Sequence, residues 1–284
     1  MNFFLQGDHS NVHVGCSAGW RRLIQLIEKK PGARIVSTIS ECDYVIVNGE
    51  GTMHDRGHGS LSKLKTGYKA RKKGKKAYLI NSVWQNMNSC SSCGWGVEHE
   101  KYLKSFNKVC VRDIISFNEI KNIRPDTKIF TDLAYDLPVK LPVHRGNKKV
   151  YGDFFNKPDN MRNLFPKKEY TSFRITKFPT WETYLHALSE ASLYVTGKHH
   201  EFIAACKLRI PFVAYRGNTD KVLGVINRAK ANIPVAGTAA ELQFNINNPP
   251  DIKEYNKLFN FLEKQKPVSY THLRAHETRE DRGC

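Results

Sequence analysis

The stretch VTGKHHEFIAACKLRIPFVAYRGNTDKVLGVI, residues 195–226, contains two short apolar segments, each followed by a segment with helical spacing. Its pattern predicts a strand ending in VTG, a helix, a second strand PFVAY and a second helix. Strands that alternate with helices form parallel sheets, because each crossover helix packs back onto the sheet. The stretch therefore predicts an α/β protein.

The same alternation extends toward the N-terminus. Six apolar segments there predict strands, namely NFFL, RIVST, DYVIV, KAYLI, KVCV and KIFT. Between the first two, Trp20, Leu23, Ile24 and Ile27 recur at the spacing of one helix face, and a Pro-Gly pair ends that helix. These segments predict βαβ units on a parallel sheet.

A break in composition separates this part from the rest of the chain. Residues 136–149, DLPVKLPVHRGNKK, hold two prolines and little periodicity, which is typical of a linker. The strands KKVYGDFF and YTSFRI and a helix around TWETYLHALSEA then lead to the opening stretch. We expect two Rossmann-like doubly wound domains, residues 1–137 and 148–267, joined by a linker at 138–147 and facing each other across a cleft.

Composition bounds the class of protein and of partner. No apolar run in the 284 residues approaches the roughly 18 residues of a membrane span. The N-terminal segment MNFFLQGDHSNVH lacks the features of a secretory signal, so we expect a cytoplasmic protein. Seven cysteines in so long a chain indicate reduced thiols. The net charge of +18 indicates anionic partners: nucleic acid, an anionic membrane surface, or a phosphorylated or carboxylated substrate.

The last segment, residues 268–284, follows an amphipathic helical pattern abruptly and has neither helical nor strand period. We expect it to be a non-native tail, similar to translated adapter sequence, and exclude it from the fold prediction. It holds three arginines and three acidic residues, so its removal leaves the net charge unchanged.

Basic side chains follow both strands of the opening stretch. Lys198, His199 and His200 come directly after VTG and open a helix, while Arg216 and Lys221 follow PFVAY. Ligands of open α/β sheets bind at the carboxyl ends of strands, where helix N-termini already favour anions. The sequence therefore predicts two adjacent anion sites.

A glycine-flanked acid follows the strand DYVIV, in the motif NGEGTMHD. Gly49 and Gly51 allow close approach of a ligand to the backbone, and Glu50 between them can contact a hydroxyl substrate. The third glycine of a dinucleotide motif and the lysine of a phosphate-binding P-loop are missing. A tight turn with an exposed acid explains the motif equally well.

Five motifs together resemble the polysaccharide pyruvyl transferase family: NGEGTMHD, KKAYLINSVWQN, VCVRDIISFNEI, FTDLAY and the opening stretch, in this order, from about Gly7 to about Lys230. The resemblance implies two Rossmann-like domains in a GT-B-like arrangement. It also implies transfer of a pyruvyl ketal from phosphoenolpyruvate to two sugar hydroxyls. Where the family commonly has an arginine two residues before its histidine, this chain has Lys198. Lysine keeps the positive charge but lacks the planar guanidinium that binds an anion through two hydrogen bonds.

The resemblance also implies roles for individual residues. Phosphoenolpyruvate carries a phosphate and a carboxylate, so its site needs at least two fixed cations. His200 is the expected general acid–base, because imidazole donates and accepts protons near neutral pH. This route requires neither a metal ion nor a cofactor besides the donor substrate. The expected residues are Lys198, Arg216, Lys221 and Arg112 for the donor, Asn11, Gly49, Gly51 and Asn81 for the acceptor, and His200 with Glu50 for catalysis.

Each assignment has a structural alternative. His200 can be a hydrogen-bonded core histidine, and we expect His199, one residue earlier, to be structural. Lys221 would ordinarily be a solvated helix residue beside Asp220, and Arg112 can pair with the adjacent Asp113 or cap a carbonyl. Helix capping explains Asn11 and Gly15 equally well. The CSSC motif at residues 90–93 has zinc-knuckle spacing without a second pair, which argues against a metal site.

Two other functions stay open at this point. A GT-B glycosyltransferase with a nucleotide-sugar donor would share the fold and the basic residues. A nucleic-acid-binding protein would account for the charge, although clustering of basic residues at strand ends argues against it. The expected partners are phosphoenolpyruvate and a glycan or lipid-linked sugar acceptor, with peripheral association to an anionic membrane and no nucleic acid.

Overall fold

The computed structural model describes residues 1–7, 13–55, 59–86, 96–142 and 146–265, with the backbone alone at Arg162. Asn11, the CSSC motif, part of the predicted linker and the predicted tail at 268–284 lie outside the described residues. The division into domains at residues 138–147 stays a prediction.

The first part of the chain forms one parallel sheet of six strands, in the order β2-β1-β3-β4-β5-β6. All six strands predicted for this part are present. They are β1 (Asn2–Gln6), β2 (Arg34–Val36), β3 (Tyr44–Glu50), β4 (Lys76–Ser82), β5 (Lys108–Val111) and β6 (Lys128–Ile129).

Among the described residues, five helices accompany this sheet: α1 (Val14–Glu28), α2 (Ser60–Lys72), α3 (Val97–Lys104), α4 (Ile114–Ile120) and α5 (Leu133–Asp136). The predicted apolar stripe orients α1, since Leu23 and Ile27 are buried against the sheet. His13 caps the start of α1 by accepting a hydrogen bond from the backbone N–H of Cys16.

The second part forms a parallel sheet of five strands in the order β8-β7-β9-β10-β11. Its strands are β7 (Lys148–Phe154), β8 (Tyr170–Ser172), β9 (Ala191–Gly197), β10 (Phe212–Tyr215) and β11 (Val235–Ala236). Its helices are α6 (Met161–Leu164), α7 (Trp181–Leu188), α8 (His199–Leu208), α9 (Lys221–Arg228), α10 (Ala239–Asn247) and α11 (Ile252–Lys264), with a 3₁₀ turn at Ile175–Lys177.

Both sheets reverse their strand order at one place. The first strand of each sheet lies between the second and the third, so successive crossovers leave in opposite directions between β1 and β3 and between β7 and β9. Such reversals open a crevice at the carboxyl ends of the two strands, where ligands bind in doubly wound folds. Glu50 ends β3 and Lys198 follows β9, so both occupy these positions.

The two sheets are joined by a continuous apolar core. Val14 and Ala18 of α1 lie in the same buried cluster as Trp181 of α7 and Phe202 of α8. Fully burying a large apolar side chain contributes about 1.5–3 kcal/mol relative to leaving it exposed. This shared core holds the N-termini of α1 and α8 against each other. Within the described residues, no helix has both the length and the apolarity needed to cross a bilayer.

Candidate active site

A buried ion pair lies beneath the ends of β5 and β6. Arg112 follows β5 and donates from Nη1 to Oδ2 of Asp132 at 2.6 Å, and the two side chains are 2% and 1% exposed. Asp132 also caps α5 by accepting from the backbone N–H of Ala134. Asp113, considered from sequence as the partner of Arg112, instead caps α4 by accepting from the backbone and hydroxyl of Ser116. The alternative in which Arg112 pairs with the adjacent Asp113 was therefore wrong.

Asp132 also binds a histidine of the second sheet. Nε2 of His199, the first residue of α8, lies 3.1 Å from Oδ2 of Asp132. Burial would raise the pKa of Asp132, but Arg112 and the two histidines of α8 hold that pKa well below its usual range. Burial and Arg112 lower the pKa of His199 to about 3. His199 is thus a neutral group that anchors α8 to the first sheet, in agreement with a structural role.

His200 lies where α1 and α8 meet. Its Nδ1 is 3.9 Å from Sγ of Cys16, and its Nε2 is 3.9 Å from Oδ1 of Asp132. A β-carbon at Gly15 would stand 2.5 Å from Cβ of His200, so only glycine permits this approach of the two helices. Burial lowers the pKa of His200 well below its ordinary value, against the opposing effect of Asp132. The imidazole is therefore neutral at pH 7.

Glu50 occupies the end of β3 in a left-handed backbone conformation, with φ +47°. Its Oε1 accepts from Nδ2 of Asn48 at 2.9 Å, and Asn48 in turn accepts from Nδ2 of Asn81 at 3.2 Å. Burial raises the pKa of Glu50 to about 7, although a hydrogen bond with Cys16 acts in the opposite direction. The alternative interpretation of this motif as a tight turn with an exposed acid is wrong, because Glu50 is buried and supported by two asparagines.

Two cations from different sheets converge on Gly51. A β-carbon at Gly51 would lie 3.5 Å from Nη2 of Arg112 and 3.9 Å from Nζ of Lys221. Nη1 of Arg112 is committed to Asp132, while its buried Nε has no hydrogen-bond partner among the described residues. An unpaired buried donor beside an open backbone position is suited to an anionic ligand.

Lys221 is held in place by its own loop. Its Nζ donates to Oδ1 of Asn218 and, at 3.0 Å, to Oγ1 of Thr219. Burial, Arg112 and Lys198 lower the pKa of Lys221 to about 7. The alternative interpretation of Lys221 as a solvated helix residue is wrong, since Lys221 is buried. The helix α9 also packs closely on α4, because a β-carbon at Gly224 would lie 2.5 Å from Oδ1 of Asp113.

The other two predicted donor residues, Lys198 and Arg216, are more accessible to solvent than Arg112 and Lys221. Lys198 is half-buried, and its Nζ stands 5.3 Å from the ring centre of Phe155, at the end of β7. Arg216 is exposed and pairs with Asp220 at 3.2 Å. Arg216 lines a separate cavity of about 310 Å³ with Gly217, Thr219 and Glu241. The structure thus brings Arg112 and Lys221 together and leaves Arg216 on the surface.

Two residues predicted to face the acceptor are packed inside the first sheet. A β-carbon at Gly49 would stand 2.3 Å from Oγ of Ser82, so packing between β3 and β4 accounts for this glycine. Asn81, with φ +50°, accepts from the backbone N–H of Leu133 and supports Asn48. Both residues therefore position Glu50, and their contact with an acceptor stays a prediction, as does that of Asn11.

Three residues of the cluster were not predicted from the sequence. Asp132 lies in the motif FTDLAY, directly after a strand, and its place at a strand end was the available signal. Cys16 and His13 begin α1, and with His200 they bring three side chains that can bind metals within 4.8 Å of one another. Sequence separation conceals this group, because 184 residues separate Cys16 from His200.

The arrangement combines two basic side chains with two proton carriers of different kinds. Arg112 and Lys221 border Gly51, Glu50 exchanges its proton near pH 7, and His200 is neutral. Groups whose environments separate their pKa values in this way can act as acid and base in one reaction. The cluster is therefore suited to a reaction of an anionic substrate that both accepts and releases protons.

Comparisons with known proteins support the fold and the family. An uncharacterised protein from Klebsiella pneumoniae subsp. pneumoniae NTUH-K2044 superposes with a TM-score of 0.56 at 17% identity, covering 84% of this chain and 92% of that chain. Arabidopsis thaliana UGT89C1, in complex with UDP-L-rhamnose, gives a TM-score of 0.53 at 11% identity, covering 90% and 73%. No curated protein matches the chain significantly. A family model described as "Polysaccharide pyruvyl transferase" matches residues 6–218, which are three quarters of the sequence and include nearly all of the cluster around Gly51. The chain therefore belongs to the polysaccharide pyruvyl transferase family.

Proposed function

We propose that the protein transfers a pyruvyl group from phosphoenolpyruvate to two hydroxyls of a sugar in a glycan or glycan precursor, forming a ketal. The observation that carries the proposal is the convergence of Arg112 and Lys221 on Gly51, with Glu50 as the adjacent residue. Membership of the pyruvyl transferase family supports the reaction class.

The two cations fit a donor with two anionic groups. Phosphoenolpyruvate carries a phosphate and a carboxylate, and charge-assisted hydrogen bonds to such groups contribute about 1.5–3 kcal/mol each. Arg112 offers Nη2 and the unpartnered Nε, while Lys221 offers a rotatable ammonium. Lys221 has a pKa of about 7, and an anion beside it would raise that pKa and favour its charged form. Lys198 would hold the donor from the end of β9.

The proposed reaction balances without a further reactant. A proton adds to the methylene carbon of phosphoenolpyruvate, and the first sugar hydroxyl bonds to the adjacent carbon and loses its proton. Phosphate then leaves, and the second hydroxyl bonds to the same carbon and loses its proton. One hydroxyl proton replaces the proton delivered to the methylene carbon, and the other leaves with phosphate.

His200 and Glu50 are suited to the two proton transfers. Neutral His200 can accept a proton from a sugar hydroxyl, and Asp132, 3.9 Å from Nε2, would stabilise the resulting imidazolium. Glu50 is half protonated near pH 7 and can deliver a proton to the methylene carbon. General acid–base catalysis of this kind contributes about 10²–10⁴-fold in rate.

The same proposal covers the remaining architecture. The two sheets would face each other in a GT-B-like cleft, with the donor on the β9 and β10 side and the acceptor on the β1 and β3 side. Asn11, Gly49 and Asn81 belong to the acceptor side, and Gly51 lies where donor and acceptor meet. No cofactor besides the donor substrate is required, and we expect a cytoplasmic enzyme that contacts an anionic membrane at its surface.

The decisive experiment incubates the protein with phosphoenolpyruvate and a panel of glycan acceptors. We expect release of inorganic phosphate that depends on the acceptor, together with an acceptor product whose mass has increased by one pyruvyl ketal. Thermal unfolding with phosphoenolpyruvate or with nucleotide-sugars is measured in parallel. Protection by a nucleotide-sugar without phosphate release from phosphoenolpyruvate would replace the proposal with a glycosyltransferase.

A further inference from the structure

A group of three potential metal ligands lies next to the proposed proton acceptor. His13 and Cys16 come from the first turn of α1 and His200 comes from α8, and their ligand atoms lie within 4.8 Å of one another. Among the described residues, these three side chains form a group of histidine and cysteine ligands close enough together to hold an ion.

We propose that His13, Cys16 and His200 form a binding site for Zn²⁺ or a similar thiophilic divalent ion, and that occupation of this site inhibits the enzyme. Thiolate and imidazole are the ligands that Zn²⁺ prefers, and three protein ligands leave a fourth position for water or an anion. The inhibition rests on the proposed function, because an ion bound to His200 would prevent this residue from accepting a proton. Binding of the ion does not depend on the proposed function.

The distances between the three side chains fit a tetrahedral ion. Sulfur and nitrogen ligands of tetrahedral Zn²⁺ are about 3.6 Å apart, given bond lengths of about 2.3 and 2.0–2.1 Å. Sγ of Cys16 is 3.9 Å from Nδ1 of His200, and the His13 and His200 ring centres are 5.1 Å apart. Only small side-chain rotations would complete the site.

The surroundings also resemble those of metal-binding histidines. A ligating histidine commonly presents its second ring nitrogen to a carboxylate, which fixes the ring and increases its basicity. Oδ1 of Asp132 lies 3.9 Å from Nε2 of His200, on the side opposite the thiol. His13 is partly exposed, while Cys16 and His200 are buried.

Binding would have two consequences. The thiol of Cys16 must lose its proton to form the metal–sulfur bond, so one proton is released and apparent affinity rises with pH. An ion held by α1 and α8 would also tie the two sheets together and stabilise the folded chain by mass action. Neither consequence depends on the identity of the substrate.

The test uses full-length protein without a histidine tag and Co²⁺ as the spectroscopic probe. We expect one Co²⁺ per chain with thiolate-to-metal charge-transfer absorption, and a rise in the unfolding temperature with Zn²⁺. Cys16→Ser should abolish the absorption. His13→Asn preserves a helix-capping side chain and should weaken Co²⁺ binding by at least about tenfold.

Two controls separate this site from others. His186→Asn replaces an exposed histidine at the end of α7 and should bind Co²⁺ as the parent does. The double variant Cys90→Ser/Cys93→Ser should also keep the absorption. Absorption that survives Cys16→Ser, or that disappears in the double variant, would overturn the proposed site.

Inhibition is measured separately, by phosphate release in the presence of Zn²⁺. The parent should lose turnover with a one-site dependence, and His13→Asn, measured relative to its own turnover without Zn²⁺, should need at least about tenfold more Zn²⁺ for the same fractional inhibition. Activation by Zn²⁺ would overturn the inhibitory role. If the protein has no pyruvyl transferase activity, the absorption and thermal measurements still decide whether the metal site exists.

Discussion

Asp132 lies 2.6 Å from the guanidinium of Arg112, and both side chains are almost completely buried. The pair links the loops of both sheets, because the same carboxylate also contacts His199 of α8. Breaking such a pair leaves one buried charge uncompensated, which costs more than the pair contributes when intact.

Asp132→Asn should therefore destabilise the fold by about 3–5 kcal/mol, as measured by urea unfolding at neutral pH. The control is Glu182→Gln, which removes the partner of Arg21 from a bidentate pair whose side chains are more than 40% exposed. That change should cost less than about 1 kcal/mol. Equal effects of the two substitutions would show that the buried pair has no special role.

The raised pKa of Glu50 predicts a pH-dependent stability. Its folded-state pKa is about 7 against an ordinary value of 4.5, so the folded state binds more protons and stability falls as pH rises from about 4.5 to 7. Glu50→Gln removes this contribution. The parent should lose up to about 3 kcal/mol more than the variant across this window, since the pKa difference is roughly 2.5 and each pKa unit corresponds to 1.36 kcal/mol.

The comparison with Glu50→Gln is essential because the histidines act in the opposite direction. His199 and His200 have lowered pKa values, so their contribution to stability is present at higher pH and is lost on acidification. Subtracting the variant's unfolding free energies from those of the parent isolates Glu50. Parallel pH profiles for parent and variant would contradict the assignment of a buried, proton-binding carboxyl.

His200→Asn should lower turnover by about 10²-fold or more while donor affinity stays nearly unchanged, because its proton transfer is made mainly in the transition state. Phosphate release reports turnover and calorimetry reports affinity. The neighbouring His199→Asn is the matched control, since it should reduce stability through Asp132 and affect turnover far less. Normal turnover in His200→Asn would make the residue structural.

Lys221→Ala should raise the phosphoenolpyruvate concentration needed for half-maximal rate by at least about tenfold, since one charge-assisted contact contributes roughly 1.5–3 kcal/mol. Parent affinity should also weaken as pH rises above about 7, where free Lys221 loses its proton. The variant should lack that pH dependence. Lys253→Ala, which removes an exposed lysine of α11, serves as the control and should behave as the parent.

Lys198→Ala should weaken donor binding before it affects turnover, because its ammonium contributes charge at the end of β9. Lys198→Arg should preserve or improve binding, since a planar guanidinium can contact a carboxylate or phosphate through two hydrogen bonds. It can also stack on Phe155, which already lies 5.3 Å from the Lys198 ammonium. Calorimetric titration with phosphoenolpyruvate distinguishes these outcomes, and unchanged binding by Lys198→Ala would remove it from the donor site.

The strands could be predicted because their signals are local. Each run such as DYVIV or PFVAY is short, apolar and bounded by polar residues. The strand β11 (Val235–Ala236) was not predicted from the sequence. The placement of Lys198 and His200 at strand ends was likewise readable from the sequence.

Side-chain partners could not be predicted in the same way. Arg112 has an acid as its neighbour, yet it binds Asp132, because the backbone turns Asp113 toward α4. The burial of Lys221 and the elevated pKa of Glu50 depend on how closely the two sheets approach. That distance is set by packing among residues far apart in the chain, such as Gly15 against His200.

The close approach of Gly224 to Asp113 sets the spacing of α9 from α4 beside the proposed donor site. Gly224 lies three residues after Lys221 on the same face of α9, and it touches the capping acid of α4 where no side chain would fit. The distance between the Lys221 ammonium and Gly51 thus depends on the lack of a β-carbon at Gly224, one helical turn away. If Lys221 binds the donor as proposed, donor affinity depends also on Gly224, a residue that has no functional group of its own.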